Sequence, residues 1–400
     1  MNLDANYSKD VPFEEIANRQ IMVVDDVKLL RDMIAGILRK AGFNNIILAK
    51  DGQDAMYKVA SNPPDLMILD IIMPIMGGME VCTLVRKIED TASIPIIVQT
   101  AMDDNEERLK AFSAGASDLL TKPVNALELV IRTKLHLKNL VLTEKQERYR
   151  RRVADELSTA KDVQQNILPS KNKLAEIRKT TGLNISAVCQ PSSELGGDFW
   201  GVHMLKNGSI GFYVTDFSGH GVVSALNTIR LHTLLFNIGE AWTTPHLLLS
   251  DINQSLCDML PTGQYATMII GLISPEEKTL SYAGAAAPPP LYGAWSKPDE
   301  FQYLDTTGLP LGISKSASYE LQTIPFTPDN FLFSFSDALI ETKLQGDIYL
   351  EGDELLNLVK DLTKGQENIQ LLDQLISAFF ESGGDELRDD LTAICFDYLK

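Results

Sequence analysis

Between residues 20 and 124, short aliphatic runs alternate with stretches of helical spacing. The runs fall at 21–24, 46–49, 66–69, 94–98 and 119–120, and each is apolar at successive positions. That pattern suits strands buried on both faces of a parallel sheet. Segments 29–40 and 106–113, which lie between runs, space their apolar residues as helices do. Five strand–helix units in a row predict an open, doubly wound α/β sheet.

The pattern then changes twice. Residues 125–167 contain no Gly or Pro and are rich in Leu, Lys, Arg, Glu and Gln, which predicts one long helix ended by Pro169. Within it Leu142, Gln146, Tyr149, Val153, Glu156, Ala160, Val163 and Ile167 follow a 4-3 spacing with two polar interruptions. Coiled-coil pairing remains open, as does a first half packed on its own domain. From residue 183 onward, strand-like segments come in blocks, at 185–189, 209–215, 266–273, 279–282, 321–326, 330–335 and 391–397. Ser274 to Glu277 supplies a turn between two of them. Helices are expected at 222–237, 245–260, 353–362 and 369–380. Blocks of this kind predict an α+β domain of antiparallel sheets covered by helices. The expected division is an N-terminal tail 1–19, a first domain 20–124, a helical linker 125–169 and a second domain 170–400.

The chain has 400 residues, enough for two or three domains. Lys and Arg number 36 against 54 Asp and Glu, a net charge of −18. A surface of that sign repels phosphate backbones, so nucleic acid is not an expected partner. Four scattered cysteines, Cys82, Cys189, Cys257 and Cys395, form no CxxC pair, which argues against zinc and against a disulfide framework. The N-terminal segment has neither a basic start nor an apolar stretch, and no apolar run reaches the ~18 residues that span a bilayer. A cytoplasmic location without a membrane partner is the expectation.

Candidate chemistry collects first at the ends of the predicted parallel strands, where such sheets carry their functional groups. Asp25 and Asp26 follow the first run, Asp70 the third, Thr100 the fourth, and Lys122 with Pro123 the fifth. Three acids on one rim repel one another unless a divalent cation sits among them. With the cation present, Asp70 can attack a phosphoryl group, Lys122 can neutralise its oxygens and Thr100 can donate a hydrogen bond to one. Read singly, a strand-end Asp is a helix cap. The full set resembles the CheY-like response-regulator receiver over residues 20 to 136. The resemblance implies that Asp70 is the phosphoacceptor and that Asp25, Asp26, Asp70 and the Ile72 carbonyl bind Mg²⁺. It also implies that Thr100 and Lys122 sense the phosphoryl group, and that a sensor histidine kinase supplies it. Two departures stand out: Leu119 replaces the usual Tyr or Phe, and Met73 to Gly78 replaces a loop that usually holds Asp-Gly.

A second acidic set lies in the C-terminal half, beside predicted strand ends: Asp198, Asp216, Asp337 and Asp389. With no His/Cys cluster beside them, convergent aspartates favour Mg²⁺ or Mn²⁺, and a pair of such ions can promote in-line attack on a phosphoryl group. Their order and flanks resemble the PPM-type protein phosphatases of the SpoIIE/RsbU kind over residues 155 to 400. The stretch Gln164 to Pro169 and the loop Gly308 to Gly312 share in the likeness. The resemblance implies two antiparallel sheets between helices, with Asp216 bridging two metals and the Phe217 carbonyl holding one through water. Asp198, Asp337 and Asp389 complete the shells, with Asp390 a further candidate. It implies a phosphoserine or phosphothreonine substrate on a partner protein such as an anti-sigma-factor antagonist. Gly201, Ala286-Ala287 and Ala338 depart from the family pattern. The expected relay is dimerisation through the linker helix. A silent phosphatase domain acting as an adaptor stays open as the alternative.

Other signals carry blander readings. Gly383-Gly384-Asp385-Glu386-Leu387 reads as a polar loop, and Ser218 with His220 as a shaped turn. Cys82 and Cys257 read as packed core residues.

Overall fold

The computed structural model describes residues 11–101, 105–219, 221–236, 238–342, 349–350, 352–363, 371–382, 387 and 389–398. They form two compact units, Met1–Val153 and Ala154–Lys400. His220, Gly383 to Glu386 and the tail 1–10 lie outside the described residues.

In the first unit the strands are β1 (Ile21–Val24), β2 (Ile46–Ala49), β3 (Leu66–Asp70), β4 (Ile96–Thr100) and β5 (Asp118–Thr121). They make one parallel sheet in the order β2-β1-β3-β4-β5. The helices are α1 (Phe13–Ala17), α2 (Lys28–Lys40), α3 (Gly52–Ser61), α4 (Gly78–Lys87), α5 (Asn105–Ser113) and α6 (Ala126–Asn166). Every residue of β1, β3 and β4 is buried, as the unbroken aliphatic runs require. Successive side chains enter opposite cores: Met22, Val24, Met67, Leu69, Ile96 and Val98 on one face, and Ile21, Val23, Leu66, Ile68 and Ile97 on the other. The fourth strand begins two residues later than its aliphatic run. Pro95 has no N–H to donate, so the ladder starts beyond it, and it continues through the polar Gln99 and Thr100.

The first half of α6 packs on this sheet through buried Leu129, Leu137 and Val141. Asp118 of β5 anchors it, accepting from Arg132 Nη1 at 2.5 Å and lying 3.1 Å from the His136 ring. Glu144 pairs with Arg19 at 2.6 Å. The reading of a helix packed on its own domain therefore holds for this half. The short α1 lies outside the sequence expectation, having too few residues to show a period.

The second unit starts with α7 (Lys171–Thr181), β6 (Leu183–Gln190), β7 (Asp198–Met204), β8 (Ile210–Phe217), α8 (Val222–Phe236) and α9 (Pro245–Met259). Next come β9 (Ala266–Ser274), β10 (Thr279–Ala285), β11 (Leu291–Ala294), β12 (Gln302–Tyr303), β13 (Gln322–Pro325) and β14 (Asn330–Phe335). It closes with α10 (Ala338–Glu341), α11 (Asp353–Thr363), α12 (Leu371–Glu381) and β15 (Leu391–Tyr398). Two antiparallel sheets result, β13-β10-β9-β8-β7 and β12-β11-β14-β15-β6. Their facing sides share one core, where the Phe212 and Phe396 rings approach to 4.6 Å. A second core lies under α8 and α9, and a third under α11 and α12, giving a helix–sheet–sheet–helix sandwich. The sequence did not reveal α7 or β7. The latter holds Gly201 amid aromatics, so it shows no clean alternation. Cys82 is buried as expected, whereas Cys257 is only half-buried, its thiol against Asn253 Oδ1.

Candidate functional site

The rim of the parallel sheet gathers its acids. Asp25 follows β1, Asp70 ends β3, and the carboxylate oxygens of Asp25, Asp26 and Asp70 lie within 4.8 Å of one another. Asp25 and Asp70 are buried and Asp26 is exposed. Lys122 Nζ stands 2.7 Å from Asp70 Oδ2 and 3.6 Å from Asp25 Oδ2. It is placed by its own N–H, which donates to the Thr100 carbonyl at 2.8 Å, and it precedes Pro123 through a cis peptide. Asp25 Oδ1 accepts from Val27 N at 2.8 Å, but Oδ2 is buried without a hydrogen-bond partner. Burial raises the Asp25 pKa, the Val27 bond and Lys122 oppose the rise, and Asp70 and Asp26 add to it. One lysine against three acids, with an orphaned carboxylate oxygen among them, fits a hard divalent cation. Thr100 is buried at the end of β4. Ile72 is 67% exposed, in the loop after Asp70. That loop turns back tightly: Gly78 N donates to the Ile71 carbonyl, and a Cβ on Gly78 would collide with the Asp70 carbonyl. Leu119 is core-packed.

In the second unit, strand pairing does the gathering. Asp198 opens β7 and faces Asp216 near the end of β8 in direct register. In the other sheet, Asp337 follows β14 and Asp389 precedes β15, two strands that pair with Phe335 opposite Ala393. Ser336 ties these ends together, its hydroxyl donating to the Asp390 carbonyl and accepting from Thr392 N. The two pairs converge electrostatically. Burial raises the Asp216 pKa to about 7, with Asp337, Asp389 and Asp390 adding to it. Burial raises Asp337 to about 6, with Asp389 and Glu341 adding. Asp198 is pushed well up by burial and then by Asp216, and its Oδ2 is buried with no hydrogen-bond partner. Among the described residues, only the first pocket brings three such oxygens within 4.8 Å of one another; the second set is spread more widely. Buried, mutually repelling carboxylates with an orphaned oxygen among them fit hard divalent cations that keep water.

Asp390 has a different task from its neighbour. Its carboxylate accepts from Ser192 N at 2.7 Å, Ser192 Oγ at 2.9 Å and Gly197 N at 2.5 Å, clamping the loop that leads to Asp198. The two glycines of that loop are needed for close approach. A Cβ on Gly196 would meet Asp390 Oδ2 at 2.8 Å, and one on Gly197 the Phe217 carbonyl at 2.7 Å. Gln164, near the end of α6, lies in the stretch that shares the family likeness, but the sequence assigned it no role. Its buried Nε2 donates to the Gly196 carbonyl at 2.8 Å and to Thr228 Oγ1 at 3.1 Å. Ser218 Oγ accepts from Tyr265 N at 3.0 Å, in keeping with a turn-shaping part. Ala338 is buried in α10, and Ala286 takes φ +56, a conformation that favours Gly. Gly201 leaves room for the Tyr213 ring on the neighbouring strand.

The parallel sheet thus carries an acidic rim pocket, and the sandwich brings four aspartates toward one another at its strand ends. Residues 21–134 match the response regulator receiver domain family, and residues 206–399 match the Stage II sporulation protein E (SpoIIE) family. The transcriptional regulatory protein YvrH of Bacillus subtilis (strain 168) is 42% identical over 121 residues, 30% of this chain and 50% of that protein. The chain thus spans about half the length of that curated relative. The Vibrio cholerae chemotaxis protein CheY4 is 30% identical, with 30% of this chain and 99% of that one covered, at a TM-score of 0.28. The SiaA-PP2C domain of Pseudomonas aeruginosa shares the fold at a TM-score of 0.54 and 19% identity, over 62% of this chain and 98% of that domain. The chain thus carries a receiver domain followed by a PPM phosphatase-type domain of the SpoIIE family.

Proposed function

We propose that this response regulator removes phosphate from phosphoserine or phosphothreonine on a partner protein, under control of aspartyl phosphorylation at Asp70. The observation that carries the reading is the convergence of Asp198, Asp216, Asp337 and Asp389 from two sheets, with burial and mutual repulsion raising Asp216 to about 7. These residues and the Phe217 carbonyl would hold two Mg²⁺ or Mn²⁺ ions, which would supply polarisation of the phosphoryl group and a more acidic attacking water. The chain's own part is to fix those ligands. Asp390 and the Gly196-Gly197 turn hold Asp198 against Asp216, and Ser336 holds Asp337 beside Asp389.

At the receiver, Asp25, Asp26, Asp70 and the Ile72 carbonyl would hold Mg²⁺, and a sensor histidine kinase would donate the phosphoryl group to Asp70. Lys122 already contacts Asp70 and is placed to follow the added charge, with Thr100 beside it. The RsbU-like character of the second domain favours an anti-sigma-factor antagonist as the phosphoprotein. A dimer through the linker, residues 125–169, is supported by exposed Leu127, Ile131, Leu135, Leu142 and Tyr149 along α6. Among the described residues, no helix is long and apolar enough to cross a membrane.

The test is Mn²⁺-dependent phosphate release from a phosphoserine protein, comparing the intact chain with Asp216→Asn. Turnover that needs the metal and disappears in the variant supports the phosphatase. Absence of turnover in both, with the receiver phosphorylated or not, leaves an adaptor that binds without hydrolysis.

A further inference from the structure

Two polar side chains sit without partners in one core of the receiver. Gln99 of β4 is 1% exposed, and neither its Oε1 nor its Nε2 has a hydrogen bond. Thr133 of α6 is fully buried, and its hydroxyl is likewise unpartnered. Both face the same apolar cluster. Gln99 lies two residues beyond Ile97 and opposite Leu120, while Thr133 lies midway in the buried stripe Leu129, Leu137 and Val141, all members of that cluster. Gln99 is also in direct register with Asp70, so the row across the sheet runs from the phosphoacceptor to Gln99 and on to Leu120. Orphaned amides and hydroxyls in a core are costly, and a well-packed apolar residue of similar shape would avoid the cost. Leu119 stands where the receiver resemblance leads one to expect Tyr or Phe.

We propose that Gln99 and Thr133 are the positioning pair through which the charge at Asp70 reaches α6. The proposal rests on the reading that Asp70 accepts a phosphoryl group. With Asp70 bare, Lys122 is held between Asp70 and Asp25. Added charge draws Lys122 from Asp25 toward the phosphoryl oxygens and changes the field along the row. The Gln99 carboxamide, tethered by no bond, then turns and exchanges a hydrogen bond with the Thr133 hydroxyl, shifting α6. Two arrangements of one buried amide make a two-state element.

Hydrogen exchange of residues 126–141 in the full chain tests this, with Mg²⁺ and beryllium fluoride as the phosphoryl mimic. Melting temperature reports whether the mimic binds. Wild type and Thr133→Ser should bind it and show a several-fold change in exchange along α6. Gln99→Met and Thr133→Val should bind it equally, melt no lower than wild type, and lose the change in exchange. Thr133→Val, on a separate element, carries the test should Gln99→Met not fold. Both apolar variants responding like wild type overturns the relay, as does a wild type that binds the mimic with α6 unmoved. No binding by wild type removes the receiver reading and the relay with it. Bound mimic and a moving α6 without any change in turnover leaves the relay standing and removes the control of the phosphatase.

Discussion

The carboxylates of Asp337, Asp389 and Asp390 act on Asp216, and a cation bound there would displace its proton. Its pKa rises from 3.8 to about 7, so within that window the folded, metal-free protein holds a proton that the unfolded chain releases. Stability of the metal-free form therefore falls as pH rises through the window, and a divalent cation, taking the proton's place, restores it. In EDTA-treated protein the melting temperature should drop from about pH 5 to about pH 7.5, and Mn²⁺ should raise it more at the higher pH. An equal Mn²⁺ effect at both values contradicts the site. The aspartates themselves were legible in the sequence because each sits beside a small or turn-forming residue at a strand end. The division of labour between Asp389 and Asp390 was not legible. Adjacent identical residues differ only in where the chain turns, and the Asp390 clamp depends on Ser192 and Gly197, nearly two hundred residues away in sequence.

Most elements of the fold were readable because burial on both faces leaves continuous aliphatic runs. Elements that the sequence hid had another source of stability. The strand β7 is fixed by seven paired positions with β8, and its Gly201 trades side-chain volume for the Tyr213 ring. Helix α7 is capped by Ser170, which accepts from Lys173 N at 3.2 Å, and buries chiefly Ile177. At the end of α6, Gln164 satisfies the buried Gly196 carbonyl beside Asp198. Gln164→Ala leaves that carbonyl unpaired, a cost of about 1–3 kcal/mol that falls on the loop holding Asp198. The expected outcome is a higher Mn²⁺ requirement for turnover in a protein that still folds. A Mn²⁺ titration of activity, alongside a melting curve, checks it; an unchanged requirement removes Gln164 from the site.

The chain joins a receiver domain to a PPM-type domain, and α6 begins in the first unit and ends in the second. At its start α6 is held by Asp118, and near its end it holds the approach to Asp198. The helix was legible from the absence of Gly and Pro over four tens of residues, and its two anchorages were not, since each depends on one polar contact made across the fold. A surface of net charge −18 repels phosphate backbones. The central claim is that the state of Asp70 sets the rate at the second site. The most direct test is the Mn²⁺-dependent rate of phosphate release from a phosphoserine protein, measured with and without beryllium fluoride, in the intact chain and in Asp70→Asn. The account predicts a rate that changes with the mimic in the intact chain and stays fixed in Asp70→Asn. The same rate in all four conditions, with the mimic bound, contradicts it.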